Sequence, residues 1–131
     1  MNLIEIFIIL LVHWMADFVF QTDEQAKNKS NNINALISHT ASYSYIWFVT
    51  GIIYITFRSN LFTNMEWYNS FSLFKFISIT FITHTIIDYF TSKLNSKLWK
   101  NNKTHQFFVS IGFDQVLHYV QLFTSYYYLT K

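Results

Sequence analysis

Four stretches of apolar and aromatic residues, at about 2–20, 35–57, 71–90 and 107–129, take up most of the chain and leave only short polar connections. At ~1.5 Å per residue in a helix, each is long enough, or nearly so, to cross a hydrocarbon core of ~30 Å. The predicted architecture is therefore all-α, a four-helix transmembrane bundle, with residues 1–131 forming a single integral membrane domain. Composition agrees: 52% of the residues are hydrophobic and 12% charged, against about 25% charged in ordinary soluble domains.

Several classes are excluded at once. There is no cysteine, so disulfides, thiolate zinc sites and iron–sulfur clusters are ruled out, and any metal must be held by His and carboxylate groups. With no proline and only Gly51 and Gly112, uninterrupted helices are expected instead of the broken helices of many transporters. A net charge of +2, spread over loop lysines, gives no basic face for nucleic acid. The first run lacks a basic leader and a small-residue cleavage site and carries His13 and Asp17, so it reads as a retained helix and not a signal peptide.

The connections set an orientation. Asn28–Asn34 is polar, 58–70 contains the interfacial types Trp67 and Tyr68, and Thr91–His105 is polar and basic. Lys27, Lys29, Lys93, Lys97, Lys100 and Lys103 lie near the first and third connections, against Arg58, Lys75 and Lys131 on the other side. By the positive-inside rule the first and third loops are cytoplasmic and both termini face outward. Lys75 is near enough to a helix end to snorkel, Tyr126, Tyr127 and Tyr128 form an interfacial cluster, and Glu5 is expected to be exposed at the opposite membrane face.

The chemistry is carried by ionisable residues inside these runs. His13 and Asp17 are four apart, as are His84 and Asp88, and Asp114 precedes His118 by the same interval. Four residues return a side chain to one helix face. The reversed order in the fourth run suits an antiparallel helix, so in all three the Asp lies nearer the cytoplasmic mouth and the His deeper. His39 enters from the same end, at the edge of the site, beneath a stripe of Ser38, Ser42 and Ser44. The contexts HWMADFVFQT and HTIIDYFTSK resemble one another as a helix-pair repeat would, which would face the two pairs across the bundle.

An ionisable group inside a membrane helix costs several kcal/mol unless it is paired, hydrated or bound to metal, so seven at one level need a common cause. A lone membrane His or Asp is as often a helix-to-helix hydrogen bond as a functional group, but metal ligation explains the whole set. His13, Asp17, His39, His84, Asp88, Asp114 and His118 are the expected ligands. Zinc is the first expectation for the divalent ion, with manganese or iron next. Gln115 is placed to orient a ligand, and Gln21 either to orient one or to cap the helix end, and Asp17 or Asp114, if not coordinated, would serve as general base. His105, at a loop edge beside Lys103 and Gln106, reads as a solvated histidine.

At these residues the sequence resembles the bacterial and phage membrane proteins catalogued as domain of unknown function 3307. The shared pattern reads His13, Asp17, Gln21 and Thr22, then His39, then His84 and Asp88, then Asp114, Gln115 and His118. More remotely it is similar to an inner-membrane family of metal-dependent hydrolases, itself similar to zinc phospholipases C. The resemblance implies a metallohydrolase in the bacterial inner membrane, acting on a phosphoester or an amphipathic lipid.

The leading expectation is thus an enzyme in which one or two metal ions activate water and polarise a substrate oxygen. The alternatives from other classes are a haem-binding bundle, a proton or ion pathway along the polar stripe, and a small membrane regulator of a partner protein. Membrane lipid is the expected surrounding, and an oligomer is compatible with the sequence.

Overall fold

The computed structural model describes residues 1–61 and 70–129. The expected interfacial pair Trp67 and Tyr68, and Lys131, lie outside the described residues, as does the Arg58 side chain. Among the described residues the chain is all helix: α1 (Leu3–Trp14), α2 (Asp23–Asn28), α3 (Ile33–Leu61), α4 (Ser70–Lys100) and α5 (Thr104–Leu129).

α1 starts at a reciprocal cap, in which the Asn2 side chain accepts from the Glu5 N–H (2.9 Å) and Glu5 accepts from the Asn2 N–H (2.8 Å). Glu5 is not exposed as expected, since it is half-buried and its Oε1 accepts from the Tyr54 hydroxyl at 3.3 Å. The helix does not run uninterrupted to residue 20. It widens into a π-turn over Met15–Val19, closed by the Phe20 N–H on the Met15 carbonyl at 2.9 Å. Proline is not needed for such a break, and π-turns of this kind occur often at functional sites. This one holds Asp17.

α2 was not anticipated. Thr22 and Gln25 form a second reciprocal cap (3.0 and 3.2 Å), and Gln25 Nε2 donates to Ser38 Oγ at 3.0 Å. The serine stripe of α3 is thus the seat on which α2 is laid. α4 also exceeds its expected end at residue 90 by ten residues, because nothing from Thr91 to Lys100 stops a helix. It ends where Asn102 turns left-handed (φ 55°). The Lys103 N–H then reaches the Leu98 carbonyl and the Asn102 N–H the Trp99 carbonyl, each at 3.0 Å, the Schellman pattern of a helix C-terminus.

The interior is polar and the exterior apolar. Buried among the described residues are His13, Asp17, Gln25, His39, Thr40, Ser44, Thr80, His84, Asp88 and further polar groups, with a smaller apolar cluster of Ile9, Ala16, Tyr43, Trp47 and Leu122 beside them. Hydroxyls and amides pair across helices, as in Thr85 to Thr40 (3.1 Å) and Gln121 to Thr80 (3.2 Å). Large apolar side chains stand outward, Leu3 81% exposed, Phe74 69% and Phe90 66%. Of the four expected spans, one described helix, Phe71–Lys100, is long and apolar enough by itself to cross a membrane. α1 is only 12 residues before its π-turn, and α3 spreads polar groups along its length.

Asn102 gives a direct test of the α4–α5 connection. A Cβ-bearing residue pays about 1 kcal/mol for the left-handed region unless, like Asn, its side chain bonds locally. Asn102→Ala should lower stability by about that amount in thermal unfolding, whereas Asn102→Gly should not.

Candidate metal centre

The three His/Asp helices and α3 meet in one cluster. α1 and its π-turn bring His13 and Asp17, α3 brings His39, α4 brings His84 and Asp88, and α5 brings Asp114 and His118. His13, His39, His84 and His118 are fully buried, and Asp17, Asp88 and Asp114 are 4%, 1% and 8% exposed. All seven expected ligands therefore lie together. His105 is exposed in the first turn of α5, as expected.

Four donor atoms converge most tightly. His39 Nε2 lies 3.1 Å from Asp17 Oδ1, 3.3 Å from Asp88 Oδ2 and 3.2 Å from His84 Nε2, and His84 Nε2 lies 3.7 Å from each of the same two oxygens. Five of the six edges joining these atoms thus measure 3.1–3.7 Å, and a regular tetrahedron of that size has its centre about 1.9–2.3 Å from its corners, close to zinc–nitrogen and zinc–oxygen bond lengths of about 2.0–2.2 Å. Asp17, His39, His84 and Asp88 thus form a set able to hold a metal ion. A second set is formed by Asp17, Asp114 and His118. His39, expected at the edge, is at the centre of the first set.

His13 stands outside both sets, and its hydrogen bonds explain why. The Gln115 amide donates from Nε2 to Asp17 Oδ2 (3.2 Å) and to Asp114 Oδ2 (3.1 Å), which turns its carbonyl oxygen toward His13 Nε2 at 2.8 Å. His13 must then donate from Nε2 and accept at Nδ1, where the Tyr43 hydroxyl lies at 2.7 Å. Both ring nitrogens are engaged. His13 therefore orients Gln115, and Gln115 in turn holds two of the carboxylates. Gln21 does the comparable work for His39, its Nε2 lying 2.9 Å from Nδ1. The other two imidazoles are held by stacking: His84 lies on Tyr43 at 3.8 Å between ring centroids and on His118 at 4.2 Å.

Two members of the cluster carry no signal in the four-residue spacing. Tyr43 is one aromatic residue among several in the second run. Lys29 reads as a loop lysine, yet its Nζ donates to Asp88 Oδ2 at 2.8 Å and lies 3.5 Å from His39 Nε2. Burial acts to lower the pKa of this ammonium, but Asp88 and Asp17 outweigh it and hold the pKa above the ordinary lysine value. The signal that could have revealed Lys29 is the Thr-x-x-Gln cap at Thr22–Gln25, which starts a helix whose end delivers residue 29 to the bundle.

The fold and cluster define a helical bundle with a buried His/Asp centre suited to a cation. A family model described as a protein of unknown function (DUF3307) matches residues 6–131. The chain belongs to that family. No curated protein and no solved structure matches it.

Tyr43→Phe keeps the ring and removes the hydroxyl, leaving buried His13 Nδ1 without its donor, a loss of about 1–3 kcal/mol. Thermal unfolding should show that loss, while His105→Ala should stay within about 0.5 kcal/mol of the parent.

Proposed function

We propose that the chain is an integral membrane protein whose buried His/Asp centre holds a divalent metal ion and hydrolyses a phosphoester or lipid substrate. The observation that carries this reading is the convergence of His39 Nε2, His84 Nε2, Asp17 Oδ1 and Asp88 Oδ2 at 3.1–3.7 Å. Imidazole nitrogen with carboxylate oxygen suits zinc first, and manganese or iron next.

The membrane part rests on the inverted arrangement of the fold, apolar outside and polar within. Lipid would solvate Leu3, Phe74, Phe90 and Phe113, whereas water would leave a contiguous apolar surface of the kind soluble monomers avoid. With Lys29 turned inward, Lys27, Lys93, Lys97, Lys100 and Lys103 still weight the ends of the first and third connections, favouring the cytoplasmic side for both.

Ligation would change the hydrogen bonds of His39. Gln21 Nε2 faces His39 Nδ1, an arrangement that puts the imidazole proton on Nε2, where it is given to Asp17. A ligating Nε2 must be free of its proton, and turning the Gln21 amide end for end would accept that proton from Nδ1. A bound divalent ion supplies Lewis acidity and lowers the pKa of water to about 7. Of the two expected general bases, Asp17 has both oxygens hydrogen-bonded, while Asp114 Oδ2 accepts from Gln115 and its Oδ1 lies 3.4 Å from His118 Nε2.

An anionic substrate is favoured by the mouth of the site. A depression of about 320 Å³ is lined by Lys93, Lys97 and Lys100 with Ser30, Asn31 and Asn101. Ser92, one turn beyond Asp88 on α4, is buried, and its hydroxyl has no hydrogen-bond partner among the described residues. The haem alternative fits poorly, since Asp17 Oδ1 and Asp88 Oδ2 stand 3.1–3.7 Å from both His39 Nε2 and His84 Nε2, where a macrocycle would have to pass.

Chelation should lower the melting temperature of the purified protein, because an ion bound only by the folded state stabilises it. Asp88→Asn and His84→Ala should each lose most of the bound metal by elemental analysis, and His105→Ala should lose none. Equal loss from the His84 and His105 variants would refute the site. Hydrolysis of a phosphodiester or phospholipid should disappear with the metal. The chain has no native cysteine, so single cysteines can report topology. Those at Asn31 and Asn101 should label from one side of the membrane and one at Asn2 from the other.

A further inference from the structure

Building on the metal reading, we infer that the centre is made for two ions: the first held by Asp17, His39, His84 and Asp88, the second by Asp114 and His118, with Asp17 shared between them. The two sets have different characters. The first offers four protein ligands, while the second offers three and so leaves a further position open to water or substrate.

Apart from the shared Asp17, the second set is assembled from residues that the first does not use. His118 Nε2 lies 3.4 Å from Asp114 Oδ1 and 3.2 Å from Asp88 Oδ1. Asp88 therefore turns one oxygen toward the first set, where Lys29 also meets it, and the other toward His118. Asp17 is divided in the same way, with Oδ1 on His39 and Oδ2 on Gln115. Asp114 Oδ1 is the decisive atom. It is withdrawn from water and is met among the described residues by His118 Nε2 at 3.4 Å, a nitrogen whose one N–H is shared with Asp88 Oδ1 at 3.2 Å. A buried carboxylate oxygen with only a share of one N–H is poorly compensated, and a cation there would complete it. Gln115 bonds the other oxygen of the same carboxylate, holding this one in place.

Charge separates the two ions in affinity. Three carboxylates face the single ammonium of Lys29, leaving two negative charges when the imidazoles are neutral, as ligation requires. One divalent ion cancels these. A second makes the centre positive, so it binds more weakly than the first and is strengthened by an anion such as phosphate, which the lysine-lined mouth would admit. Two-ion centres hold the attacking and leaving oxygens of a phosphoester together, which ties the second ion to the proposed reaction.

The test loads the purified full chain with Mn²⁺ in the presence of inorganic phosphate, counts bound metal by elemental analysis and records the electron paramagnetic resonance spectrum. The expected result is two ions per chain with an exchange-coupled spectrum, falling to one uncoupled ion in Asp114→Asn and in His118→Gln. Asp114→Glu, which keeps the carboxylate, and His105→Ala should retain two. One ion in the parent, unchanged by Asp114→Asn, would overturn the second site and leave the first standing. Lost hydrolysis at unchanged stoichiometry in Asp114→Asn would make Asp114 a base and overturn the inference in the same way. No bound ion in the parent would overturn both this inference and the proposed function.

Discussion

A carboxylate withdrawn from water has to be met by a cation or by hydrogen-bond donors, and this bundle buries three in one cluster. Most of the fold's unusual features follow from that requirement. α2 exists to carry Lys29 to Asp88, and its cap at Thr22 and its seat on Ser38 make the delivery rigid. Gln115 spends both amide hydrogens on Asp17 and Asp114, and His13 and Tyr43 line up behind it so that its oxygen is also satisfied. Removing one member of such a network leaves a neighbour charged or unpaired, and breaking a buried ion pair by removing one partner commonly costs about 3–5 kcal/mol.

The same requirement explains why the polar groups are inside and the apolar ones outside. In a water-soluble bundle the apolar stripe of each helix faces the core. Here the stripe facing inward is His, Asp, Gln, Ser and Thr, with Tyr43, Trp47 and Leu122 beside it. Interhelical hydrogen bonds such as Thr85 to Thr40 then do part of the work that apolar burial does elsewhere. The π-turn at Met15–Val19 belongs to this economy of space, since the wider turn carries Asp17 within reach of α3 and α4 together.

Lys29 and the proposed ions act on the same negative charge from different directions. The ammonium arrives from the mouth and bonds the Asp88 oxygen that also faces His39 and His84. A lysine there offsets one of the three buried carboxylate charges, and the proposed divalent ion would offset the rest. The basic depression beside it, with Lys93, Lys97 and Lys100, extends the positive field toward the entrance.

The four-residue spacing of His13 with Asp17, His84 with Asp88 and Asp114 with His118 determined, without any structure, that three helices would each turn an ionisable pair to one face, and the reversed order in the last placed the three pairs at one level. Helical periodicity is local, so it can be read from the chain. The same locality made the long α4 hard to end in advance, because its stop depends on Asn102 adopting a left-handed conformation and not on any breaker residue. What only the tertiary structure decided was the division of labour among the seven. His13 serves Gln115 and not the central set, His39 moves from edge to centre, and Lys29 leaves the tally of loop lysines to meet Asp88. Those roles depend on which nitrogen or oxygen faces which neighbour across 22 to 102 residues of chain, and such contacts are fixed by packing between helices, on which sequence spacing is silent.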